Sequence, residues 1–275
     1  MATFYIWTIG CQMNRADSRV ASEELAKLGY RPVDRVGNAD LVVLNTCVVR
    51  QSAEDRAIGY LSSLKPLKAR NPNTRLVVMG CLVGDDNITM LRRHFRYVDA
   101  WLRPSDIQGL LDFVKRGAPQ ALQLIPSQLV TPISVFVPVM HGCDHFCTYC
   151  IVRLRRGRER SCPIAEVACE VKSLIARGAR EVTLLGQNVD SYGGDLPGNP
   201  TLADLLRAVH EVEGLYRIRF LTSHPGDLHP ELIEAVAELP KVCEHFELPV
   251  QSGDEEILRR MGRGYTVTQY RALID

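Results

Sequence analysis

The sequence predicts an α/β protein in two parts: an amino-terminal open parallel α/β sheet domain, then an incomplete (β/α) barrel. Three observations carry this reading. Short apolar runs alternate with amphipathic helical patterns along most of the chain, the order that parallel strands with crossover helices produce. An uncharged stretch at 118–132 with three prolines interrupts the alternation, and a second series follows it. The 275 residues exceed the ~100–150 of one domain. The expected division is 1–117, a linker at 118–132, and 133–275.

Residues 4–9 (FYIWTI) read as a strand and 17–28 as a helix, with Asp17 or Ser18 as N-cap and Gly29 as its stop. Residues 41–45 (LVVLN) and 75–79 (RLVVM) read as strands. Residues 52–64, 88–96 and 105–116 read as helices, the last stopped by Gly117. In the second series strands are expected at 133–139, 180–185, 216–221 and 245–250, and helices at 164–177, 201–212, 229–238, 254–260 and 266–274. An eight-unit barrel takes about 250 residues, ~31 per unit, so 133–275 holds about four or five units. The last helical pattern carries no stop signal, so the barrel is expected to be truncated at its carboxyl end and the chain to be a fragment. The glycine-rich SYGGDLPG (191–198) lacks the Lys-Ser/Thr word of a phosphate loop and reads as a turn.

Composition excludes several classes. Hydrophobic residues make up 46% and charged residues 24%, which is a globular balance and not a disordered one. No apolar run nears the ~18 residues of a membrane span, and residues 1–10 lack the basic start and cleavage site of a signal peptide. A cytoplasmic protein with no membrane partner is expected. The net charge is +1, so any nucleic-acid site must be a local patch. The nine cysteines are odd in number and sit in a reducing context, which argues against a disulfide framework and for metal or catalysis.

Cys143, Cys147 and Cys150 form a C-x3-C-x2-C run directly after the first barrel strand, where barrel active sites sit. Three close thiolates suit an iron–sulfur cluster with one open iron. The competing reading is a structural zinc site closed by His141 or His145. Cys11, Cys47 and Cys81 each follow a predicted parallel strand. Carboxyl ends of parallel strands share one sheet edge, where ligands bind, so these three can meet in space; the competing reading is three ordinary packed cysteines.

The C-x3-C-x2-C spacing, with the aromatic Tyr149 before the last cysteine, resembles the radical S-adenosylmethionine enzymes. The words TIGCQMNRADS (8–18), NTCVVRQSAEDRA (45–57) and MGCLVG (79–84) resemble the cysteine boxes of the methylthiotransferase family within that superfamily. LLGQNVDSYGG (184–194), RFLTSHPGDL (219–228) and LPVQSGDEEILRRMGRGYT (248–266) agree. CQMN, GQNV and TSHP look most like the branch that modifies tRNA. The resemblance implies a radical S-adenosylmethionine barrel and two [4Fe–4S] clusters. One would be held by Cys143, Cys147 and Cys150; the other, an auxiliary cluster carrying the sulfur, by Cys11, Cys47 and Cys81. S-adenosylmethionine would serve both as methyl donor and as source of the 5′-deoxyadenosyl radical. The implied enzyme is a sulfur-transferring tRNA-modification transferase, inserting a methylthio group at C2 of N6-isopentenyladenosine beside the anticodon. Implied partners are the tRNA anticodon stem-loop, an electron-donor protein and an unidentified sulfur source, with the chain a monomer. Alternatives are a methylthiotransferase acting on threonylcarbamoyladenosine tRNA or on a ribosomal-protein aspartate and, from another class, a non-catalytic zinc-binding RNA module.

Beyond the cysteines, RLRRGRER (153–160) places Arg153, Arg155, Arg156 and Arg158 just past the cysteine loop, as candidate substrate or RNA contacts. Arg156 and Gly157 match the family's Arg-Gly word. Arg153 and Leu154 depart from the Pro and aromatic usual there, and Cys162 stands where an arginine is usual. Tyr149, Gln187 and Asn188 are expected to bind S-adenosylmethionine. His224 and Gln251, at strand ends, are expected at the substrate. Asn14, Asp17 and Asn45 are expected to order the surroundings of the auxiliary site. Cys169 and Cys243 read as packing residues.

Overall fold

A computed structural model describes residues 2–117 and 131–275. All of the expected linker except Thr131 and Pro132 falls outside the described residues. The chain divides into two compact units, Met1–Leu129 and Val130–Asp275.

The first unit runs β1 (Thr3–Thr8), α1 (Gln12–Lys27), β2 (Arg31–Pro32), β3 (Leu41–Thr46), α2 (Gln51–Ser63), α3 (Lys65–Arg70), β4 (Arg75–Gly80), α4 (Ile88–His94), β5 (Ala100–Leu102) and α5 (Ile107–Arg116). The strands form one parallel sheet in the order β2-β1-β3-β4-β5. Alternate side chains of β3 and β4 serve opposite faces, as the strand period of two requires. Val42, Leu44, Leu76 and Val78 pack with Ala57 and Leu61 of α2. Leu41, Val43, Val77 and Met79 pack with Ala21 and Leu25 of α1 and Leu110 and Val114 of α5. With both faces covered, β3 is buried along its whole length.

The second unit runs β6 (Ser134–Pro138), β7 (Met140–His141), α6 (Val152–Arg156), β8 (Arg160–Ser161), α7 (Ile164–Ala176), β9 (Glu181–Leu185), α8 (Leu202–His210), β10 (Arg217–Leu221), α9 (Pro230–Glu238), α10 (Glu255–Met261) and α11 (Val267–Ile274). β6, β9 and β10 are adjacent, parallel and in register, with Pro138, Leu185 and Leu221 side by side at their carboxyl ends. α7 and α8 supply the crossovers, and their apolar faces (Val167, Val171, Leu174; Leu205, Leu206, Val209) close the core over Val135, Val137, Val182, Leu184 and Ile218. This is the expected barrel-type succession. No helix of the described residues is long and apolar enough to cross a membrane.

Three local expectations are corrected. α1 starts at Gln12, with Cys11 at its N-cap, so Asp17 and Ser18 lie inside the helix. The helix face they occupy is tied down by tertiary contacts, which outweigh the local capping preference: Asp17 is buried, and Ser18 bonds Thr8. Residues 245–250 are no ladder strand. Among the described residues the segment's one strand-type pairing with β10 is an isolated parallel bridge between Val242 and Ile218; Phe246 and Leu248 still pack on the core, while Pro249 has no N–H to donate. Cys169 is exposed, so it is not a packing residue. The hairpin β7–β8, the short α6 and the strands β2 and β5 carried too little periodicity to be foreseen.

Candidate metal centres

In the first unit the sheet register itself gathers the cysteines. Thr8, Asn45 and Met79 are lateral neighbours at the carboxyl ends of β1, β3 and β4, and Cys11, Cys47 and Cys81 follow two or three residues later. The Cys81 N–H donates to the Thr46 carbonyl at 2.9 Å and the Ile9 N–H to the Asn45 carbonyl at 3.0 Å, holding the three loops together. Gly10 permits this approach: it lies at φ +138°, and a Cβ there would sit 2.8 Å from the Cys47 Cβ and 2.7 Å from Asn14 Oδ1. Cys11 is exposed, while Cys47 and Cys81 are each 4% exposed. A cavity of 460 Å³ opens beside Cys11 and Cys47, lined also by Arg50 and Arg56.

Asn14 and Asn45, both fully buried, brace this edge. Cys11 Sγ donates to Asn14 Oδ1 at 3.3 Å. Asn14 Nδ2 donates to Asn45 Oδ1 and to the Thr46 carbonyl, both at 2.9 Å. Asn45 Nδ2 donates to the Asn14 carbonyl at 2.8 Å and to Ser18 Oγ at 2.9 Å. Asp17 accepts from Ser105 Oγ at 2.8 Å.

In the second unit the loop carrying Cys143, Cys147 and Cys150 leaves the carboxyl end of β6 through β7. Cys143 N–H donates to the Gly157 carbonyl at 3.2 Å and Cys150 N–H to the Cys147 carbonyl at 3.0 Å. Thr148 is latched to the end of α10, through its N–H on the Met261 carbonyl and its hydroxyl on the Arg260 carbonyl, both at 3.0 Å. Burial pushes the Cys143 thiol up to about 11, with Glu159 and the other two cysteines adding to the rise. A metal centre there must displace that proton on binding.

The donor set and its spacing fit a cluster better than a single zinc ion. Among the described residues, the one set of three metal-capable side chains with ligand atoms within 4.8 Å of each other is His145, His224 and Asp227. The sulfurs of each triplet are therefore not drawn in to the ~3.8 Å that tetrahedral Zn–S bonds of about 2.3 Å impose. A cubane binds each thiolate at a separate iron and keeps them further apart. Of the two candidate fourth zinc ligands, His145 is engaged elsewhere: its Nε2 meets Asp227 Oδ2 at 2.5 Å and its ring stacks on His224 at 3.9 Å; His141, its Nδ1 buried without a partner, belongs to no set of three such ligand atoms among the described residues.

The strand ends beside the loop form one polar network. Gln187 Oε1 accepts the Gly142 N–H at 2.5 Å, so this residue fixes the cysteine loop's backbone. Asn188 Nδ2 donates to Asp227 Oδ2 at 2.5 Å, while its Oδ1 is buried without a partner. The Gly226 N–H donates to His224 Nδ1 at 3.1 Å, which places the neutral ring's proton on Nε2, an unpartnered buried donor. Burial, with Arg263 and His145 alongside, holds His224 down at about 4, so it is neutral at pH 7. The hydrogen bond to Asp227 raises His145. Asp227 is lowered although burial works against it, because His145 and Asn188 donate to it. Burial pushes Asp190 up to about 7; it accepts from Ser223 Oγ and the His224 N–H, both at 3.0 Å. An orphan donor and an orphan acceptor at the ends of β10 and β9 fit a polar ligand seated next to the cysteine loop.

The arginine run does not form one solvent-facing patch. Arg155 and Arg156 are each 9% exposed. Arg153 binds Asp144 Oδ1 at 3.1 Å and lies 3.8 Å over the Phe146 ring. Arg158 binds Asp144 Oδ2 at 2.8 Å with its side chain outside. Arg153 and Arg158 thus clamp Asp144 inside the cysteine loop. Tyr149 and Gln251 are exposed, Gln251 at φ +68°. Sequence reasoning did not single out Asp190, the His145–Asp227 pair or Arg263. The one local signal was for Arg263, an arginine between two turn glycines in MGRGYT.

Comparisons with known proteins agree with this layout. Residues 3–103 match the family described as Uncharacterized protein family UPF0004, and residues 137–275 match the Radical SAM superfamily. A tRNA-2-methylthio-N(6)-dimethylallyladenosine synthase of Dehalococcoides mccartyi (strain CBDB1) is 50% identical over 275 residues, covering 100% of this chain and 64% of the relative. A protein of the same name from Roseiflexus sp. (strain RS-1) is 47% identical, covering 98% of this chain and 58% of its own length. The chain thus spans less than two thirds of these relatives. Among solved structures, the radical S-adenosylmethionine methyltransferase TsrM from Kitasatospora setae matches with a TM-score of 0.64 at 14% identity, over 99% of this chain and 64% of that one. The cobalamin-dependent radical enzyme OxsB matches with a TM-score of 0.63 at 11% identity, over 98% of this chain and 46% of that one. At such identities these two speak for the fold alone.

Proposed function

The chain belongs to the methylthiotransferase family of radical S-adenosylmethionine enzymes, and from that premise we propose that it inserts a methylthio group at C2 of N6-isopentenyladenosine beside the anticodon of tRNA. The observation that carries this reading is the pair of cysteine triplets at carboxyl strand ends, in a chain half identical to relatives bearing that synthase name. A [4Fe–4S] cluster on Cys143, Cys147 and Cys150 would supply the electron that cleaves S-adenosylmethionine, and a second on Cys11, Cys47 and Cys81 the attachment point for sulfur.

The chain's own groups then have separable tasks. Gln187 holds the Gly142 backbone so that the loop presents its thiols together. Arg153 and Arg158 fix the same loop through Asp144. His224 Nε2–H and Asn188 Oδ1 offer a fixed donor and acceptor to S-adenosylmethionine or to the base, and Tyr149 offers its exposed ring for stacking. Arg158 and Gln251 are the outward-facing candidates for tRNA contact. An electron-donor protein, an unassigned sulfur source, a monomeric state and a cytoplasmic site complete the reading.

The test incubates the anaerobically reconstituted chain with S-adenosylmethionine, a reductant, a sulfide source and an isopentenylated tRNA anticodon stem-loop, followed by nucleoside mass spectrometry. The 2-methylthio nucleoside is expected. Product only on threonylcarbamoyladenosine tRNA or on the ribosomal-protein aspartate would overturn the substrate. No product on any of them, with both clusters loaded, would overturn the activity.

A further inference from the structure

Arg263 is 6% exposed, and among the described residues no carboxylate pairs with it. Its Nη1 points at Cys147 Sγ at 3.4 Å, its Nε at the Tyr265 hydroxyl at 3.2 Å, and its Nη2 at the Pro249 carbonyl at 3.5 Å. The guanidinium lies 5.2 Å from the centre of the Tyr265 ring. Tyr265 in turn donates to the Val250 carbonyl at 2.7 Å. The segment that carries Arg263 is pinned to the cysteine loop. Gly262, at φ +70°, ends α10 in the left-handed region, and a Cβ there would sit 2.9 Å from the Phe146 carbonyl oxygen. The geometry is rigid, and the cation at its centre has only neutral partners.

Burying a guanidinium without a counter-anion is unfavourable. The one partner here that becomes an anion is Cys147, once its thiol is a ligand. We propose that Arg263 is the built-in counter-cation of the metal centre on Cys143, Cys147 and Cys150, a positioning residue that acts through Cys147 to make the cluster easier to reduce. This rests on the reading that these cysteines hold a [4Fe–4S] cluster. Three thiolates make that centre a net anion, and taking up one electron from a reductant adds one more negative charge. A fixed positive charge and a hydrogen bond on the ligand sulfur stabilise the reduced form more than the oxidised one, which moves the potential upward. Among the described residues no carboxylate competes for the guanidinium, so its charge is directed at the sulfur.

The test is an EPR-monitored redox titration with dithionite. It uses the full chain with Cys11→Ala, Cys47→Ala and Cys81→Ala, so that a single cluster gives the signal, and compares Arg263 with Arg263→Gln and Arg263→Lys. Iron and sulfide are assayed on each. Arg263→Gln is expected to keep its iron and to shift the reduced-to-oxidised ratio at a fixed potential about tenfold toward oxidised, or ~59 mV for one electron. Arg263→Lys is expected to recover part of that shift, because it keeps the charge and loses the planar fork. Equal midpoints at equal iron content would overturn the proposal. So would a Lys variant indistinguishable from Gln, or loss of iron from both variants, which would mark a purely structural role. Failure of the underlying reading looks different: the Arg263 chain itself would then hold no iron.

Discussion

Asn14 has no exposed surface, and both ends of its amide are engaged: its Oδ1 accepts from Cys11, and its Nδ2 donates to Asn45 Oδ1 and the Thr46 carbonyl. Replacing it by alanine strands the Asn45 Oδ1 acceptor in the interior and leaves the Thr46 carbonyl with the Cys81 N–H alone. Asn14→Ala is expected to cost about 1–3 kcal/mol, read as a lower urea midpoint for the metal-free chain; an unchanged midpoint would mean the amide network does not hold this edge. At this scale the cysteines were the legible part. Cys143, Cys147 and Cys150 announce themselves by local spacing, and Cys11, Cys47 and Cys81 by each following an apolar run. Arg263 was not legible, because its meaning depends on Cys147, which lies 116 residues away in sequence.

Element by element, the helices of the second unit follow their sequence patterns closely, because an apolar face every three or four residues is both the local signal and the packing requirement. α8 even carries the full capping box of Thr201 and Asp204. The strand expected at 245–250 failed for a complementary reason. Apolar alternation there reports that Phe246 and Leu248 face the core, but ladder bonds need a partner strand in register, which alternation does not encode. Between β9 and β10 the coupling is polar: the turn after β9 sends Asp190 to the Ser223 hydroxyl and the His224 N–H beyond β10. Burial raises this carboxyl from 3.8 to about 7 in the fold. A folded value above the unfolded one gives a contribution that is complete below pH ~4 and lost as pH rises through about 7. Asp190→Asn keeps an acceptor for His224 and removes the titration. Its urea midpoint is expected to fall less between pH 5 and pH 8 than that of the unaltered chain. An equal fall in both would contradict the assignment.

For the whole molecule, the parallel order of two strand–helix series was readable from alternation alone, and it accounts for why each triplet sits at carboxyl strand ends. The chain spans 64% of the length of relatives to which it is 50% identical, so its activity is best approached through what its own cysteines hold. The central claim is two separate [4Fe–4S] sites. The direct measurement is iron and acid-labile sulfide per chain after anaerobic reconstitution. It compares the unaltered chain with a Cys143→Ala, Cys147→Ala, Cys150→Ala variant and with a Cys11→Ala, Cys47→Ala, Cys81→Ala variant. About eight irons are expected in the first and about four in each of the others, with matching sulfide. About four irons in the unaltered chain, all lost when Cys143, Cys147 and Cys150 are removed, would contradict the second site; zinc without sulfide would contradict both.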